Sequence, residues 1–426
     1  MNPVLEIANF LGLKSVKIEV KQFLILIGPQ ASGKSVIAKL IHYFQTFPSE
    51  LIESIENKET KYDFDKRLRL KFGEYFPPNT WNTSAFKIKF TNDTDEIEIA
   101  KVESRQANIE ISYSRQYVSK LKIGKNYIKK QEIKIKEEEM TNTTKYKMQS
   151  EMRRHIYEIV KKDLSNDILY EQLFIPAGRS FFSNLQSSIF DFLSNNNAID
   201  PFIRDFGSYY EMAKFRYDYD TKKGESNKKL YESIGKRVHE ILKGKYHEEK
   251  GKDFLILDDG RKLNVLNCSS GQQEVLPLAL ILSDMPFLKF QGGGQTVYIE
   301  EPEAHLFPTA QKQIVELLGL IHNTAKSDIR FIITTHSPYI LSSFNNLIQA
   351  GNSERCTDEE KRNEVYSIVK KDLIIDIKAI SAYSLRDGKV RTLVSKDTDL
   401  INTNIIDEVS NEINSEFSQL IDMECK

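Results

Sequence analysis

A glycine-rich stretch, "GPQASGKS", runs from Gly28 to Ser35. It fits the pattern GxxxxGK[ST], the P-loop, in which glycines let backbone amides turn inward around phosphate oxygens. In this pattern the Lys34 amine reaches the outer phosphates and the Ser35 hydroxyl binds Mg²⁺. An ordinary glycine turn would not explain a Lys-Ser pair at a helix start. The residues predicted to bind ATP here are Gly28, Pro29, Gln30, Ala31, Ser32, Gly33, Lys34 and Ser35.

Three carboxylates lie in "VYIEEPEAHLFP", directly after a short apolar run. An acid at the carboxyl end of a strand beside a P-loop can hold a Mg²⁺-bound water, and the next acid can position or deprotonate the attacking water. We therefore assign Glu300 to the metal shell and Glu301 to the role of base. The usual residue at the first place is Asp, and Glu300 is one methylene longer. Glu303 is predicted to be a solvated or interface charge.

A histidine, His336, follows the apolar run of "IITTHSP". A neutral imidazole at this place can hydrogen-bond a γ-phosphate or hold the attacking water. A lone histidine is more commonly a packed or surface residue. The position of His336 at the end of a core strand, alongside the other two motifs, favours a catalytic role.

A fourth stretch, "NCSSGQQEVLPLALIL", changes from small polar residues to an apolar run. Serine is a common helix cap, so the pattern predicts a helix that begins here. A helix N-terminus with little side-chain bulk exposes its amides and binds anions such as phosphate. The residues predicted to contact a phosphate are Ser269, Ser270, Gly271 and Gln272.

These motifs follow apolar runs that predict buried strands: "FLILI", "TVYIE" and "IRFIITT". The segments after them have helical spacing, as in "VIAKLIHYF". "LFIPAGRS" adds another strand, which ends in a turn. The preceding "VKIEV" alternates and is predicted to be an edge strand. Apolar strands that alternate with helices predict a mainly parallel α/β core.

Residues 86 to 136 have a different pattern. "FKIKF", "DEIEIA", "NIEISYS" and "EIKIK" alternate apolar and polar side chains, which predicts half-solvated antiparallel strands. The basic segment "KLKIGKNYIKKQEIKIK" is typical of a charged hairpin, and contact with nucleic acid is the alternative.

Residues 145 to 170 and most of 181 to 250 have helical patterns. "FLILDDGRKLNVL" predicts a hairpin, in which Asp258 and Asp259 fit a turn better than a metal site.

Composition limits the class of protein. The chain has 426 residues, 40% of them hydrophobic, and a net charge of −1, so no global field attracts nucleic acid. No apolar run approaches a membrane span and the first residues do not resemble a signal peptide. Three distant cysteines fit reduced thiols, and the histidines show no zinc-binding spacing. We expect a cytoplasmic protein without membrane association.

The order of the motifs resembles that of the ABC-type ATPases, in particular the soluble group with OLD-family, RecF-like and chromosome-maintenance ATPases. Their signature is usually LSGGQ, and here residues 268–272 read CSSGQ. "EEPEAHLFP" looks like the Walker B and D-loop of the OLD-like branch, and "TTHSP" like its histidine switch. The resemblance implies an ABC-type P-loop fold with an antiparallel β subdomain and an inserted helical lobe, and it implies ATP and Mg²⁺ as ligands.

In this family the signature helix caps the γ-phosphate held by a partner subunit. The resemblance therefore implies that Ser269 and Gly271 act across a homodimer or a higher oligomer. The family's Mg²⁺-sensing glutamine is absent, and Arg179 stands in its place. Arg179 would either contact a phosphate or a neighbouring chain, or be a surface residue at a strand end.

The resemblance also bears on function. OLD nucleases continue into a metal-binding Toprim domain, for which the residues after 338 leave too little room. "AISAYSLRDGKVRTLV" predicts a closing strand pair, and "IIDEVSNEINSEFSQLI" a terminal helix. The chain resembles stand-alone ATPase subunits of anti-phage systems such as Septu, PARIS and ATPase-carrying retrons, which control a separate nuclease or toxin. The alternatives are a RecF-like repair ATPase that binds DNA itself and a non-enzymatic, ATP-locked scaffold.

The same reasoning predicts four segments. Residues 1–85 would hold the first part of the ATPase core, with the P-loop. Residues 86–172 would be an antiparallel β and helical insertion, and 173–265 a helical lobe. Residues 266–426 would complete the core with the signature, the carboxylates and His336.

Overall fold

The structure is a computed structural model of the chain. It describes residues 2–81, 85–93, 95–102, 108–137, 142–164, 167–183, 200–220, 228–290, 292–403, 414–421 and 423. None of the described helices is long and apolar enough to cross a lipid bilayer.

Most described strands belong to a single large sheet. The strands, in chain order, are β1 Val4–Phe10, β2 Leu13–Glu19, β3 Phe23–Ile27, β4 Phe86–Asn92, β5 Asp95–Lys101, β6 Glu110–Tyr113, β7 Glu171–Ile175, β8 Lys245–Glu249, β9 Lys252–Ile256, β10 Lys262–Asn264, β11 Gly294–Glu300, β12 Asp328–Thr335, β13 Ile380–Arg386, β14 Lys389–Thr392, β15 Val394–Ser395 and β16 Leu400–Ile401. Among these residues the large sheet has the order β6-β5-β4-β1-β2-β14-β13-β3-β12-β11-β7. A small antiparallel sheet joins β8, β9 and β10, and β15 pairs with β16.

Helices pack on both faces of the large sheet. They are α1 Lys34–Glu56, α2 Lys61–Tyr75, α3 Arg115–Glu137, α4 Asn142–Lys161, α5 Ser180–Ser183, α6 Pro201–Asp220, α7 Lys228–Leu242, α8 Ser270–Asp284, α9 Pro308–Thr324, α10 Pro338–Cys356 and α11 Glu359–Ile368. Short 3-10 turns occupy Pro78–Thr80, Val265–Asn267, Met285–Phe287, Lys371–Leu373 and Ile377–Ala379. Residues 414–421 are also helical.

The P-loop strand β3 lies inside the parallel part of the sheet. It pairs in parallel with β12 on one side and with β13 on the other, and β11 and β7 continue the parallel run. Alternate side chains of β3 point to opposite faces. Phe23, Ile25 and Ile27 pack with α8, α9 and α10, whereas Leu24 and Leu26 pack with α1 and α2. The predicted α/β class with a mainly parallel core is confirmed.

The antiparallel strands extend this same sheet. β4 pairs with β1, and β5 and β6 follow, so the predicted half-solvated strands continue the edge of the core. The prediction that "VKIEV" is an edge strand is wrong. This segment belongs to β2, and the β13–β14 hairpin pairs with β2 on the side away from β1. There the Lys14 amide donates to the Gly388 carbonyl at 2.7 Å. The predicted hairpins at Asp259-Gly260 and Asp387-Gly388 are both present.

The basic segment at residues 120–136 is a helix, so the predicted strand "EIKIK" and the charged hairpin are wrong. It belongs to α3, which buries Tyr117, Leu121, Gly124 and Ile128. These residues recur at helical spacing, and a Cβ on Gly124 would lie 2.7 Å from Ile55 on α1. The close approach of α3 to α1 therefore depends on glycine at this position.

Other predictions fall partly within the described residues. α4 covers most of the predicted helical segment 145–170 but ends at Lys161, and α6 and α7 lie within the predicted segment 181–250, in which the β8–β9 hairpin begins at Lys245. Residues 405–413 of the predicted terminal helix lie outside the described residues. The four-segment division stays a prediction, and its boundary between residues 172 and 173 falls inside β7.

Candidate functional site

The P-loop connects the buried strand β3 to the first turn of α1. Gly33 caps this helix with φ +96° and without a side-chain hydrogen bond. A Cβ on Gly33 would lie 2.7 Å from the Leu13 side chain, and one on Gly28 would lie 2.5 Å from the Leu385 carbonyl oxygen. Both positions therefore require glycine. The first turn of α1 has no side-chain cap, and uncapped amides at a helix start suit an anion.

The Lys34 side chain turns back over the loop. Its amine donates to the carbonyl oxygens of Gly28 and Pro29, both at 2.8 Å, and lies 3.5 Å from the Ser32 hydroxyl. Burial lowers the pKa of Lys34, and the carboxylates of Glu301, Glu303 and Glu300 oppose that shift. Lys34 therefore sits close to three negative charges that come from a different part of the sequence.

Those three charges come from the end of β11, the neighbour of β12 in the sheet. Glu301 has a left-handed φ of 43°, and its amide donates to the Thr334 carbonyl at 2.9 Å. This bond fixes the backbone just after β11 against the end of β12. The turn brings the Glu301 carboxylate toward the residues that follow β12.

His336 connects the lysine to this carboxylate. Its Nδ1 lies 3.4 Å from the Lys34 amine, and its Nε2 lies 3.2 Å from the Glu301 carboxylate. A protonated lysine can only donate, so Nδ1 accepts and the proton of a neutral ring lies on Nε2, on the side of the ring that faces the Glu301 carboxylate. The structure thus brings together three residues that the sequence had singled out separately.

Glu303 has a more specific place than the sequence suggested. It is half-buried, and its Oε1 accepts the His336 backbone amide at 2.6 Å. Its other oxygen, Oε2, is buried without a hydrogen-bond partner. Glu303 is therefore not a merely solvated charge, because this carboxylate holds the backbone of the histidine, while the interface alternative stays a prediction.

Glu300 and Ser35 carry the oxygens predicted to bind Mg²⁺. Glu300 Oε1 is buried and has no hydrogen-bond partner, while Oε2 accepts a 3.4 Å bond from the Ala177 amide. Ser35 is exposed on the first turn of α1. No group of three or more metal-ligating side chains occurs in the described part of the chain. One carboxylate and one hydroxyl fit Mg²⁺, which commonly takes its other ligands from water and phosphates.

The signature stretch opens α8, as predicted. Ser269 caps the helix, because its hydroxyl accepts the Gln272 amide and the Gln272 side chain accepts the Ser269 amide at 3.1 Å. Ser269 and Ser270 are exposed. The Gln272 side-chain amide donates to the Leu242 carbonyl at 2.8 Å. The Gln272 side chain therefore bonds within the chain, and the predicted nucleotide contacts of residues 269–272 stay predictions.

Arg179 is fully buried, contrary to the sequence-based expectation of a phosphate contact or a surface side chain. It forms an ion pair with Glu274 on α8, with NH2 3.3 Å from Oε1. Burial lowers the pKa of Arg179, and the Glu274 carboxylate opposes this most strongly. Sequence reasoning missed Glu274. The sequence feature that could have revealed Glu274 is a single carboxylate at the start of an apolar helix. A charge buried there needs a partner of opposite charge.

Comparisons with known proteins agree with the motifs. A family model described as an AAA ATPase domain matches residues 3–341. No curated protein matches the chain. Among solved structures, the chain is similar to an Smc head bound to the C-winged helix domain of ScpA, with 14% identity, a TM-score of 0.42 and coverage of 92% of this chain and 98% of that chain.

Two further solved structures are similar at the same level. The SMC head domain from Thermotoga maritima has 12% identity and a TM-score of 0.35, over 92% of this chain and 98% of that chain. A structure of the recombination mediator protein RecF also has 12% identity and a TM-score of 0.35, with the same coverage. The assignment of the family rests on the family model, which spans well over half of the chain and contains every motif described above. The protein belongs to the AAA ATPase domain family and is an ATPase.

Proposed function

We propose that the protein is an ABC-type ATPase whose two copies close around ATP. In each site the P-loop of one copy would face the signature helix of the other. The observation that carries this proposal is the close series of side chains from Lys34 through His336 to Glu301, with successive distances of 3.4 and 3.2 Å. The exposed opening of α8 supports the shared site, since no described hydrogen bond joins residues 269–272 to residues 28–35.

Each residue has a role that follows from its place. The open amides of α1 and the Lys34 amine would bind the phosphates once the lysine exchanges its bonds to the loop carbonyls. Ser35 and Glu300 would hold Mg²⁺, which when bound neutralises developing negative charge. The Glu301 carboxylate would accept the proton of the attacking water. His336 would orient that water or the γ-phosphate through Nε2.

The signature helix would supply charge complementarity from the partner copy. The Ser269 hydroxyl and the amide of Gly271 lie at the N-terminal end of α8, where the helix dipole is positive. A γ-phosphate placed there would receive hydrogen bonds without the approach of a charged side chain. ATP would then stabilise the dimer because it contacts both copies.

The substitution Glu301→Gln tests the assignment of the base. It preserves shape but removes the proton acceptor, so turnover should fall on the order of 100- to 10,000-fold. ATP should stay bound, and a stabilised dimer should appear on gel filtration with ATP. Glu360→Gln, an exposed acid on α11, is the matched control and should behave as the wild type. Near-normal hydrolysis by Glu301→Gln would move the base role to Glu303 or His336.

We further propose that the ATP cycle controls a separate effector, a nuclease or toxin, in prokaryotic antiviral defence. The exposed helix at residues 414–421 supports a protein partner. Phe417, Leu420 and Ile421 are spaced as one helical face, and all three are exposed. An exposed apolar face of this kind is typical of a surface that contacts another protein.

Co-purification with the products of adjacent genes tests the effector. The double substitution Phe417→Glu with Leu420→Glu should abolish capture and leave ATPase turnover unchanged. Ile368→Glu, which changes another exposed apolar residue on α11, is the control. If the purified protein alone cuts DNA, and an active-site variant removes that activity, a separate effector is not needed.

A second candidate function is direct DNA binding, as in a RecF-like repair ATPase. The exposed face of α3 favours it, because Arg115, Lys122, Lys129, Lys130 and Lys134 are all exposed there. This function predicts duplex binding that weakens steeply with salt. Lys129→Glu with Lys130→Glu should then reduce both the affinity and the salt dependence, whereas Lys252→Glu on the β8–β9 hairpin should not. Absence of salt-dependent binding by the wild type would favour the effector.

A further inference from the structure

Arg179 lies where three segments of the site meet. It follows β7 through the turn Pro176-Ala177-Gly178, in which Gly178 has φ +74°. Its side chain is fully buried although it carries a charge. A guanidinium has five N–H donors, and burying it is costly in free energy unless these donors find acceptors.

The acceptors belong to different segments. Nε donates to the Glu274 carbonyl on α8 at 3.2 Å, and NH1 donates to the Pro176 carbonyl at 3.1 Å. NH1 also donates to the Glu300 carbonyl at 2.6 Å, and NH2 donates to the Glu301 carbonyl at 3.0 Å. One side chain therefore connects the signature helix to the backbone of both acids at the end of β11.

Glu274 completes the connection from the other side. Its Oε1 accepts the Arg179 amide at 2.9 Å, and its Oε2 accepts the Ser180 amide at 2.8 Å. The ion pair adds a third contact to the carboxylate. Because α8 is joined to the arginine through both a carboxylate and a main-chain carbonyl, the helix cannot shift without disturbing this set of bonds.

A second contact joins the same two elements. A Cβ placed on Gly271 would lie only 2.6 Å from the His305 carbonyl oxygen, so the first turn of α8 lies directly against the loop after Glu301. Within that loop the Ala304 amide donates to the Glu301 carbonyl at 3.0 Å. The signature helix is thus connected to the segment that carries the base at two separate places, directly at Gly271 and through Arg179.

We propose that Arg179 is a positioning residue that transmits movement of the signature helix α8 to the backbone of Glu300 and Glu301. Contact between α8 and the partner's nucleotide would set the Glu301 carboxylate in the chain's own site, so the two sites of a dimer would be coupled. This inference rests on the proposed role of Glu301 and on the proposed dimer. Arg179 itself touches no reacting atom.

Arg179→Lys separates positioning from folding. The lysine keeps a positive charge beside Glu274, but one amine cannot reach all three segments. Since a misplaced catalytic group is costly, kcat should fall on the order of 10- to 100-fold, while KM for ATP should change less than about threefold. Arg330→Lys is the matched control, because Arg330 is also buried and paired, with Asp167 at 2.7 Å, but lies near the start of β12.

The control variant should keep its kcat within about twofold of the wild type, at a temperature where all variants are folded. A wild-type kcat for Arg179→Lys would overturn the proposal. The proposal would also be overturned if the loss of kcat equals the loss of folded protein, which thermal melting of each variant measures.

Hydrogen exchange gives a readout that does not depend on activity. Glu274→Gln changes α8, yet the amides of Glu301 and of residues 303–306 should exchange faster, because the Arg179 bonds to the end of β11 loosen. Asp167→Asn should not affect exchange in residues 301–306. Unchanged exchange in Glu274→Gln would overturn the transmission, whereas normal turnover by Glu301→Gln would overturn only the role of the base.

Discussion

The P-loop region and the signature region both begin a helix, but they use its first turn differently. At α1 no side chain caps the helix, and the nearby side chains of Lys34, His336 and Glu301 face one another within the chain, 3.4 and 3.2 Å apart. At α8 the Ser269 side chain caps the Gln272 amide, and Ser269 and Ser270 face solvent. One region gathers charged and titratable side chains, whereas the other presents a neutral, positively polarised surface.

This difference indicates how the two regions divide the work. A site that must bind phosphates and abstract a proton needs charges held close together in a partly buried place. A surface that must recognise a phosphate from another copy, and release it, needs dipoles rather than fixed charges. The three predictions below test this division, from the largest expected effect to the smallest.

Removal of the P-loop amine should have the largest effect. Lys34→Ala takes away the charge that reaches the phosphates and the group that faces Nδ1 of His336. ATP binding should weaken, and turnover should fall on the order of 1,000-fold or more. Isothermal titration and a phosphate-release assay measure the two effects. Lys39→Ala, on the same helix beyond the loop, should retain activity. Unchanged turnover in Lys34→Ala would remove the P-loop from the mechanism.

A mixture of two inactive variants tests whether the regions belong to different copies. Lys34→Ala spoils the P-loop, and Ser269→Arg blocks the opening of α8. If the site is shared, each mixed dimer has one site with both defects and one with an intact P-loop and an intact signature. Mixing should then restore ATP retention at up to one site per mixed dimer. If each site forms within one chain, every site stays damaged.

Nucleotide retention is the readout for this mixture, because hydrolysis can require both sites. Subunit exchange has to be shown with differently tagged copies. Melting temperatures of the single variants control for the lost serine cap. No gain in retained ATP at any mixing ratio would contradict the shared site and the dimer.

A smaller effect should come from His42, which lies on α1 behind the P-loop. Burial lowers the pKa of His42 well below its ordinary range, and Lys71 and Lys39 lower it further. Below about pH 6.5 the unfolded chain binds a proton that the folded chain refuses, so the folded state loses stability as pH falls toward the folded pKa. The slope from this group is about 1.4 kcal/mol per pH unit.

Urea unfolding between pH 7.5 and 5 measures this slope. His42→Phe should flatten it, because the phenyl ring stays uncharged among the rings of Phe202 and Phe174. The same substitution at the exposed His155 should leave the slope as in the wild type. An equal slope in His42→Phe would mean that other groups cause the acid sensitivity.

The sequence predicted those parts of the site that depend on local patterns. Lys34, Glu301 and His336 each follow a short apolar strand, and parallel strands bring their carboxyl ends to one edge of a sheet. Their proximity could therefore be expected without coordinates. The cap of α8 was likewise readable from Ser269 and Gln272, which stand three residues apart.

Features that depend on distant partners were not predictable in this way. Arg179 and Glu274 are 95 positions apart, and the arginine alone looked like a strand-end residue. β2 appeared to be an edge strand because its neighbour β14 is more than 370 residues later. In α3 the alternation of "EIKIK" concealed a longer helical stripe that includes Leu121 and Ile128. Local alternation was therefore a poorer guide than the spacing over the whole segment.

The place of β3 in the sheet also has a consequence for synthesis. The strands that flank it, β12 and β13, are translated roughly 300 and 360 residues later, which takes about 15 to 70 s at ordinary elongation rates. The antiparallel strands β1, β2, β4, β5 and β6 are close in sequence and can pair early. The apolar strand that carries the P-loop therefore emerges from the ribosome long before its parallel neighbours, so this part of the sheet cannot be completed until β13 has been translated.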